Sequence, residues 1–136
     1  MRHYKIEAIE GIGGKFGAKF RKVNVKSINK LLTSSVTKKQ RQELAEATGI
    51  SEKLILKFAN MADLFRISGI GEEFSELLEI AGVDTVVELA KRTPLNLTKK
   101  MEEVNAKKKL TRRTPTLKEV EKWVKQAKSL PRMLKY

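Results

Sequence analysis

A Gly-Ile-Gly triplet occurs twice in this chain of 136 residues, at Gly11–Gly13 and, 58 positions later (69 minus 11), at Gly69–Gly71. In both copies an isoleucine stands two positions before the first glycine, and a phenylalanine stands three positions after the last. The register continues to Asn24 and Gly82, two residue types that tolerate the left-handed backbone conformation that often ends a helix. The repeat predicts that each copy forms a helix, a left-handed cap and then a second helix.

A second correspondence follows each copy, now at an offset of 65 residues (123 minus 58). Phe58 matches Trp123, and both lie on apolar stripes with helical spacing, which predicts that both side chains belong to the hydrophobic core. The additional residues of the second half are expected within 105–113. The sequence therefore predicts two halves, residues 1–64 and 65–136, each a hairpin unit followed by a helical pair.

Apolar residues have helical spacing over almost all of the remaining chain, and no segment alternates apolar and polar residues over the length of a strand. Two segments, Thr37–Gln40 and Thr116–Glu119, fit the capping box, in which the first and fourth side chains satisfy free backbone N–H groups. The expected fold is all-α, with about eight helices and no sheet. We expect the two halves to pack as one compact, pseudo-duplicated domain.

The chain is strongly basic, with 29 Lys and Arg against 16 Asp and Glu and a formal net charge of +13. Such a field attracts polyanions, namely DNA, RNA or an anionic membrane surface, and the alternative is a basic surface that only aids solubility. Because the chain has no cysteine and one histidine, disulfides, thiol nucleophiles, cysteine-based zinc sites and histidine-rich metal sites are excluded. No apolar run reaches the length of a signal peptide or a membrane span, so we expect a cytoplasmic protein without a membrane partner.

A Gly-x-Gly turn that leads into a helix can bind an anion. The first glycine permits a tight turn, and the second allows the backbone to approach another surface closely. The N–H groups at the start of the next helix point outward and carry partial positive charge, which suits one phosphate group. The dinucleotide-binding fingerprint is excluded because no glycine stands three positions beyond Gly13 or Gly71, and a P-loop is excluded because no Gly-Lys-Ser/Thr follows.

The segment Gly11–Gly17 resembles the helix-hairpin-helix family, whose pattern is an apolar residue, Gly-Ile-Gly, often a lysine, and then a small residue. The second copy keeps the triplet and the small Ser75, but Glu73 stands where lysine is expected. In that family the hairpin N–H groups and nearby basic side chains hold DNA phosphates largely without sequence preference. The resemblance therefore implies DNA binding. It also implies that a hairpin carbonyl group can hold a monovalent cation, and it suggests no other cofactor.

Over nearly its whole length the chain also resembles the bacterial domain-of-unknown-function family 4332, which contains duplicated helix-hairpin-helix units. The segments that carry this resemblance are Tyr4–Glu7, Leu44–Ser51, Asn60–Leu64, Gly82–Val86 and Pro115–Leu130. This second resemblance implies the duplicated all-α fold and no particular function.

Positive charge is concentrated at the two ends of the sequence. Residues 1–58 carry 13 Lys and Arg against 5 Asp and Glu (net +8), and residues 93–136 carry 13 against 4 (net +9). The intervening residues 59–92 carry 3 against 7 (net −4). We therefore predict nucleic-acid contacts at the first hairpin and in the basic stretch 107–113. The predicted residues are Gly11, Ile12, Gly13, Gly14, Lys15, Lys19, Lys22, Lys107, Lys108, Lys109, Arg112 and Arg113.

The second hairpin is acidic. Its turn consists of Gly69, Ile70 and Gly71, and the following segment carries Glu72, Glu73, Glu76 and Glu79. Carboxylates at a helix N-terminus complement its dipole and compete with a phosphate, so this hairpin is predicted to be structural or protein-binding. The four carboxylates lie along one helix without a partner cluster, unlike those of metal-dependent nucleases, so we predict no catalytic residue and no metal site.

Two hypotheses for function follow. The first is a non-catalytic protein that binds nucleic acid, and DNA in particular, without sequence specificity and with a salt-sensitive affinity. The alternative is a protein-interaction adaptor that uses the acidic second hairpin, with the basic surface incidental. The sequence leaves open whether the nucleic acid is DNA or RNA, the oligomeric state, and whether stretch 107–113 is an ordered arm or a flexible linker.

Overall fold

The computed structural model describes residues 4–136, and in that range it contains eight α-helices, one short 3₁₀ helix and no named β-strand. The 3₁₀ helix spans Ile6–Ala8, and an isolated bridge joins Lys5 to Ser27. The α-helices are α1 (Gly13–Lys22), α2 (Ile28–Thr33), α3 (Lys38–Thr48), α4 (Glu52–Leu64), α5 (Glu72–Ile80), α6 (Val86–Ala90), α7 (Pro94–Lys108) and α8 (Leu117–Ser129). The prediction of an all-α fold is confirmed.

The chain divides into two compact units. Unit 1 contains the described residues up to Asp63 together with the C-terminal segment Met133–Tyr136, and unit 2 contains Leu64–Arg132. The last residues of the chain are therefore part of the unit that is built mainly from the first ones, a return that no local sequence pattern indicates.

Residues 58 positions apart adopt matching local structure in the two units. In unit 1 the Ile12 N–H donates to the Ile9 carbonyl oxygen at 3.2 Å, and in unit 2 the Ile70 N–H donates to the Ile67 carbonyl oxygen at the same distance. At the offset of 65 residues, α4 and α8 correspond along their whole length, since each has 13 residues. The sequence correspondence thus extends to hydrogen bonds and helix bounds.

The predicted left-handed caps are present, because Asn24 has a φ of 64° and Gly82 has a φ of 99°. The following helices, α2 and α6, begin after Ser27 and Thr85, whose hydroxyl oxygens accept the N–H three residues later at 3.1 and 3.3 Å. Such side-chain caps satisfy N–H groups that have no partner inside the helix. The caps fix where the second helix of each pair begins.

Both predicted capping boxes are confirmed. The Thr37 hydroxyl accepts the Gln40 N–H at 3.1 Å while the Gln40 side chain accepts the Thr37 N–H, and the same reciprocal pair joins Thr116 and Glu119. These boxes define the starts of α3 and α8.

The matched aromatic residues of the two halves are buried, as predicted, with Phe58 2% and Trp123 3% exposed. In unit 1 the Phe58 ring lies 6.3 Å from the Phe20 ring, centroid to centroid. In unit 2 Trp123 belongs to an apolar cluster that includes Leu78 and Val86. Each unit therefore has its own aromatic residue at the core, on the helix that ends the half.

Arg41, a charged residue only 4% exposed, holds the C-terminal segment in unit 1. Its guanidinium donates to the Ser35 carbonyl oxygen and to the Lys135 carbonyl oxygen, both at 2.8 Å, and lies 5.5 Å from the centroid of the Tyr136 ring. The Lys135 N–H also donates to the Val36 carbonyl oxygen at 2.8 Å. These bonds satisfy a buried cation with backbone acceptors and an aromatic face.

Candidate nucleic-acid interface

The first glycine turn, Gly11–Gly14, joins the 3₁₀ helix to α1. Gly11 has a φ of 93° and Gly13 a φ of 56°, backbone conformations that residues with a side chain rarely adopt. A Cβ atom added at Gly13 or Gly14 would meet no neighbouring atom within 4 Å. The backbone at this turn is therefore open to close approach from outside.

Helix α1 begins at this turn with free N–H groups. The first N–H groups of a helix have no partner inside it, and Ile12 at the cap position supplies no side-chain acceptor. The side chain of Ile12 is 1% exposed, so it anchors the turn in the core. Of the residues predicted to contact a ligand, Ile12 can therefore contribute only its backbone.

The turn packs against an aromatic side chain of the core. A Cβ atom at Gly11 would lie 3.6 Å from the Phe58 ring, which is van der Waals contact. The Phe16 ring, one turn into α1, lies 5.9 Å from the same Phe58 ring, centroid to centroid. The turn and the start of α1 are thus held against one buried residue of α4.

Three lysines follow the turn on one side of α1. Lys15, Lys19 and Lys22 are spaced by four and three residues, which places them on one helical face. Lys15 and Lys22 are exposed, and the Lys19 ammonium lies 5.7 Å from the centroid of the Phe16 ring. Within the described part of the chain, none of the three forms an ion pair. Their charge is available to a ligand.

Arg21, on the same helix, forms an ion pair with Glu7. Its guanidinium donates to both carboxylate oxygens of Glu7, at 2.6 and 2.9 Å. This hydrogen bond holds the pKa of Glu7 well below its usual range, at about 2. The Glu7 carboxylate lies against Gly17, where an added Cβ would approach it to 2.6 Å, so a small residue at this position leaves room for the ion pair.

The second glycine turn, Gly69–Gly71, differs from the first in its backbone conformation and in its contacts with other side chains. Gly69 has a φ of 95°, but Gly71 is extended with a φ of −125°, and α5 begins one position later than α1 in the repeat. A Cβ atom at Gly69 would lie 3.0 Å from the indole nitrogen of Trp123, and the Ser68 N–H donates to the Gln126 side chain at 3.1 Å. Helix α8 therefore contacts the start of this turn, where Ser68 and Gly69 remain exposed.

Acidic residues occupy the start of α5, where the first turn of α1 has glycine and lysine. Glu72 and Glu73 lie in the first turn of α5 and are exposed. Their carboxylates complement the positive end of the helix dipole and would repel a phosphate. The two turns are equivalent in the repeat but have opposite electrostatic character.

The stretch 107–113 is held in place by specific contacts in unit 2. Lys107 and Lys108 form the last turn of α7, and Lys109 ends that helix with a φ of 51°. Beyond it, the Thr111 N–H donates to the Asn105 side chain at 3.0 Å, and the Asn105 amide donates back to the Thr111 carbonyl oxygen at 3.2 Å. These two hydrogen bonds tie Thr111 to the C-terminal part of α7.

Arg113, one of the predicted contact residues, has partners in unit 2. Its guanidinium donates to both carboxylate oxygens of Glu119, at 2.7 and 2.9 Å, and lies 5.2 Å from the centroid of the Phe74 ring. This pairing and the Thr116 N–H hold the pKa of Glu119 at about 2. Arg112 and Arg113 are both exposed.

The predicted residues thus fall into two groups. The first glycine turn and the lysines of α1 belong to unit 1, and Lys107–Arg113 belongs to unit 2. Unit 2 also carries four lysines on α8 that the charge count did not single out: Lys118, Lys122, Lys125 and Lys128, all exposed, which we call the α8 lysine face. Their spacing of four, three and three residues is visible in the sequence, but not as a run of adjacent charges.

A family profile for a domain of unknown function, DUF4332, matches residues 10–130. The chain belongs to the DUF4332 family. The region that matches DUF4332 contains both glycine turns, stretch 107–113 and the whole of α8, and ends before the C-terminal segment of unit 1. No curated protein and no solved structure matches this DUF4332 chain.

Two further features of this DUF4332 protein concern the part of the chain that the structure describes. None of the helices in residues 4–136 combines the length and the apolar character that crossing a membrane requires. In the same range, no three His, Cys, Asp or Glu side chains are grouped so that they could hold a metal ion.

Proposed function

We propose that this DUF4332 protein binds nucleic acid, DNA in particular, through phosphate contacts at the first glycine turn, and that it catalyses no reaction. We also propose that its halves are two helix-hairpin-helix units. The matching N–H bonds before each turn, the left-handed residue after each first helix and the aromatic ring beneath each turn support this assignment. The observation that carries the functional proposal is the combination of an open glycine turn and three lysines on α1 that form no ion pair within residues 4–136.

A phosphate group at this turn accepts hydrogen bonds from the free N–H groups and interacts favourably with the dipole of α1. Lys15 adds a full positive charge in the first turn of the helix. Lys19 and Lys22 lie about 6 and 10 Å further along the axis, at 1.5 Å per residue, where they can meet neighbouring phosphates. Contacts of this kind position the backbone and do not read bases, so binding is expected to be independent of sequence.

The second glycine turn supplies a comparison within the same chain. It has the same Gly-Ile-Gly sequence, but exposed Glu72 and Glu73 follow it. Phosphate binding at a turn of this type depends on the charge around it as well as on its backbone. The proposal therefore assigns nucleic acid to the first turn and not to the second.

A charge-reversal experiment tests this assignment. We expect the double substitution Lys15→Glu with Lys19→Glu to weaken binding to a labelled DNA duplex at least roughly tenfold in fluorescence anisotropy, because it removes two cations and adds two repulsive charges. The matched control is Lys38→Glu with Lys39→Glu on α3, which makes the same change in net charge at exposed residues of unit 1.

Only variants whose circular dichroism shows the helical content of the natural chain are compared. A loss confined to the α1 variant, with Glu73→Lys binding at least as well as the natural chain, supports the proposal. If the α1 and α3 variants lose affinity equally, only net charge matters and the assignment to the first turn is wrong.

The exposed carboxylates at the start of α5 favour a second candidate, a protein-binding role for the second glycine turn. Such a partner would present basic groups to Glu72 and Glu73. It would remain bound after nuclease treatment and would be lost on Glu72→Lys with Glu73→Lys. A partner that instead dissociates after nuclease treatment would be bound through nucleic acid, as the first proposal expects.

A further inference from the structure

We infer that unit 2 has a nucleic-acid contact surface of its own, and that this surface is the α8 lysine face rather than the second glycine turn. The inference rests on the proposed function, because it assigns a second phosphate-binding surface to the same ligand. It concerns residues outside the glycine turns and outside stretch 107–113.

The α8 lysine face is a row of cations along one side of α8, and at 3.6 residues per turn its four lysines span about 120° around the helix axis. Lys118 and Lys128 are ten residues apart, which is about 15 Å at 1.5 Å per residue. Lys122 and Lys125 lie between them, and all four side chains are exposed. Duplex DNA carries one negative charge per about 1.7 Å of its axis, so a phosphate backbone offers partners along the whole row.

The opposite side of α8 is fixed in the core, so the helix presents this face in one orientation. Val120, Trp123, Val124 and Ala127 are between 0% and 3% exposed. Gln126 accepts the Ser68 N–H, which ties the last turn of α8 to the loop before α5. A row of lysines on a fixed helix keeps its spacing when a ligand binds, and less conformational entropy is lost.

Acidic neighbours do not neutralise the row. On α8 itself, the Glu119 carboxylate is paired with Arg113, which leaves Glu121 as the exposed acid between the lysines. Within residues 4–136, none of the four lysines takes part in an ion pair. The face therefore carries four positive charges against one negative charge.

The chemistry of α8 favours a nucleic-acid backbone over a membrane surface. A basic helix that binds a membrane inserts an apolar face among the lipids. The apolar residues of α8 are buried in unit 2, and Leu117, at 40%, is the exposed large apolar residue of the helix. What remains outside is a row of cations that matches a row of phosphates.

The repeat shows what is particular to unit 2. Lys53 and Lys57 of α4 occupy the positions of Lys118 and Lys122, and they too are exposed. Asn60 and Asp63, however, occupy the positions of Lys125 and Lys128. Of these two corresponding helices, the extended row therefore occurs on the one in the half whose glycine turn is acidic.

The test measures how the affinity of the full chain for a labelled DNA duplex depends on salt. The variant is Lys122→Gln, Lys125→Gln and Lys128→Gln. The matched control is Lys91→Gln, Lys99→Gln and Lys100→Gln, which removes the same charge from exposed residues of unit 2. If the three α8 lysines contact phosphates, the slope of log K against log salt falls in magnitude by about 2.7, at about 0.9 per contact.

The expected result is that this loss occurs in the α8 variant and not in the control, and that arginine at the same three positions restores the slope. Equal slopes for the α8 variant and the control would overturn the inference. If Lys15→Gln with Lys19→Gln lowers the slope and the α8 variant does not, the proposed function stands and this inference is wrong. If the natural chain does not bind at low salt, or if the α8 lysines matter only for phosphatidylserine vesicles, the inference is also wrong.

Discussion

Gly11 and Gly69 have nearly the same backbone conformation, with φ of 93° and 95°, but the aromatic rings beneath them leave different amounts of room. A Cβ atom at Gly11 would make an ordinary contact of 3.6 Å with Phe58, whereas one at Gly69 would lie 3.0 Å from the indole nitrogen of Trp123. Trp123 is buried, and its ring also packs 5.4 Å from the Phe74 ring. At the residue scale, the second turn is therefore the more tightly constrained of the two.

We predict that Gly69→Ala lowers the free energy of unfolding by about 2 kcal/mol, because a left-handed conformation and a tight contact act together. The measurement is urea denaturation followed by circular dichroism. The control is Gly14→Ala, a position with no positive φ and no atom near an added Cβ, where stability should be unchanged or slightly raised. Equal effects of the two substitutions would show that neither the left-handed conformation of Gly69 nor its contact with Trp123 imposes a constraint.

At the scale of the element, helix α8 packs one side into the core of unit 2 and exposes lysines on the other. The position of its first turn depends on Glu119. The Glu119 carboxylate accepts hydrogen bonds from the Arg113 guanidinium at 2.7 Å and from the Thr116 N–H at 2.9 Å. These bonds lower the pKa of Glu119 to about 2. Since they favour the ionised form in the folded state, they link the stability of unit 2 to pH.

We predict that the stabilisation lost on Glu119→Gln depends on pH. The folded-state pKa of Glu119 lies below its value of about 4.3 in an unfolded chain. The ionised carboxylate therefore contributes its full stability above about pH 4.5, and the contribution is lost as the pH falls towards 2. Urea titrations of both proteins should show a difference in unfolding free energy that narrows over this range. A difference that stays constant from pH 7 to pH 2 would contradict the role given to the ionised carboxylate.

The local elements of this chain follow from short-range patterns, and several of its side-chain arrangements do not. The capping boxes at Thr37 and Thr116 and the left-handed Asn24 depend on residues within four positions, so sequence spacing predicts them. The pairing of Arg113 with Glu119 crosses a bend at a separation of six, which matches no helical period. A run of adjacent charges does not mark the α8 lysine face, because its lysines are spread over a helical period.

At the scale of the whole molecule, the last residues of the chain complete the unit built from the first ones. Leu134 is 2% exposed, and the buried guanidinium of Arg41 bonds to the Lys135 carbonyl oxygen, 94 positions away. A contact over such a separation has no counterpart in local sequence patterns, and for this reason the expected division into consecutive halves did not include it.

We predict that removing Met133–Tyr136 destabilises unit 1 selectively. The deletion exposes apolar surface under Leu134 and leaves the guanidinium of Arg41 without one of its acceptors. The deletion should increase the rate of amide hydrogen exchange more in α3 than in α8. The control Tyr136→Phe removes only the hydroxyl that donates to Asn60 at 2.9 Å, so its effect should be much smaller. Equal acceleration in both helices would contradict a role confined to unit 1.

The most direct test of the central claim, that the first glycine turn binds phosphate groups of nucleic acid, is a titration of the ¹⁵N-labelled chain with a short DNA duplex at low salt, followed by NMR. We expect the backbone N–H resonances of Gly13–Lys15 to shift in proportion to bound DNA, while those of Glu72 and Glu73 do not. If the resonances at the first turn do not shift, phosphate binding at this turn is contradicted, whether or not other resonances shift.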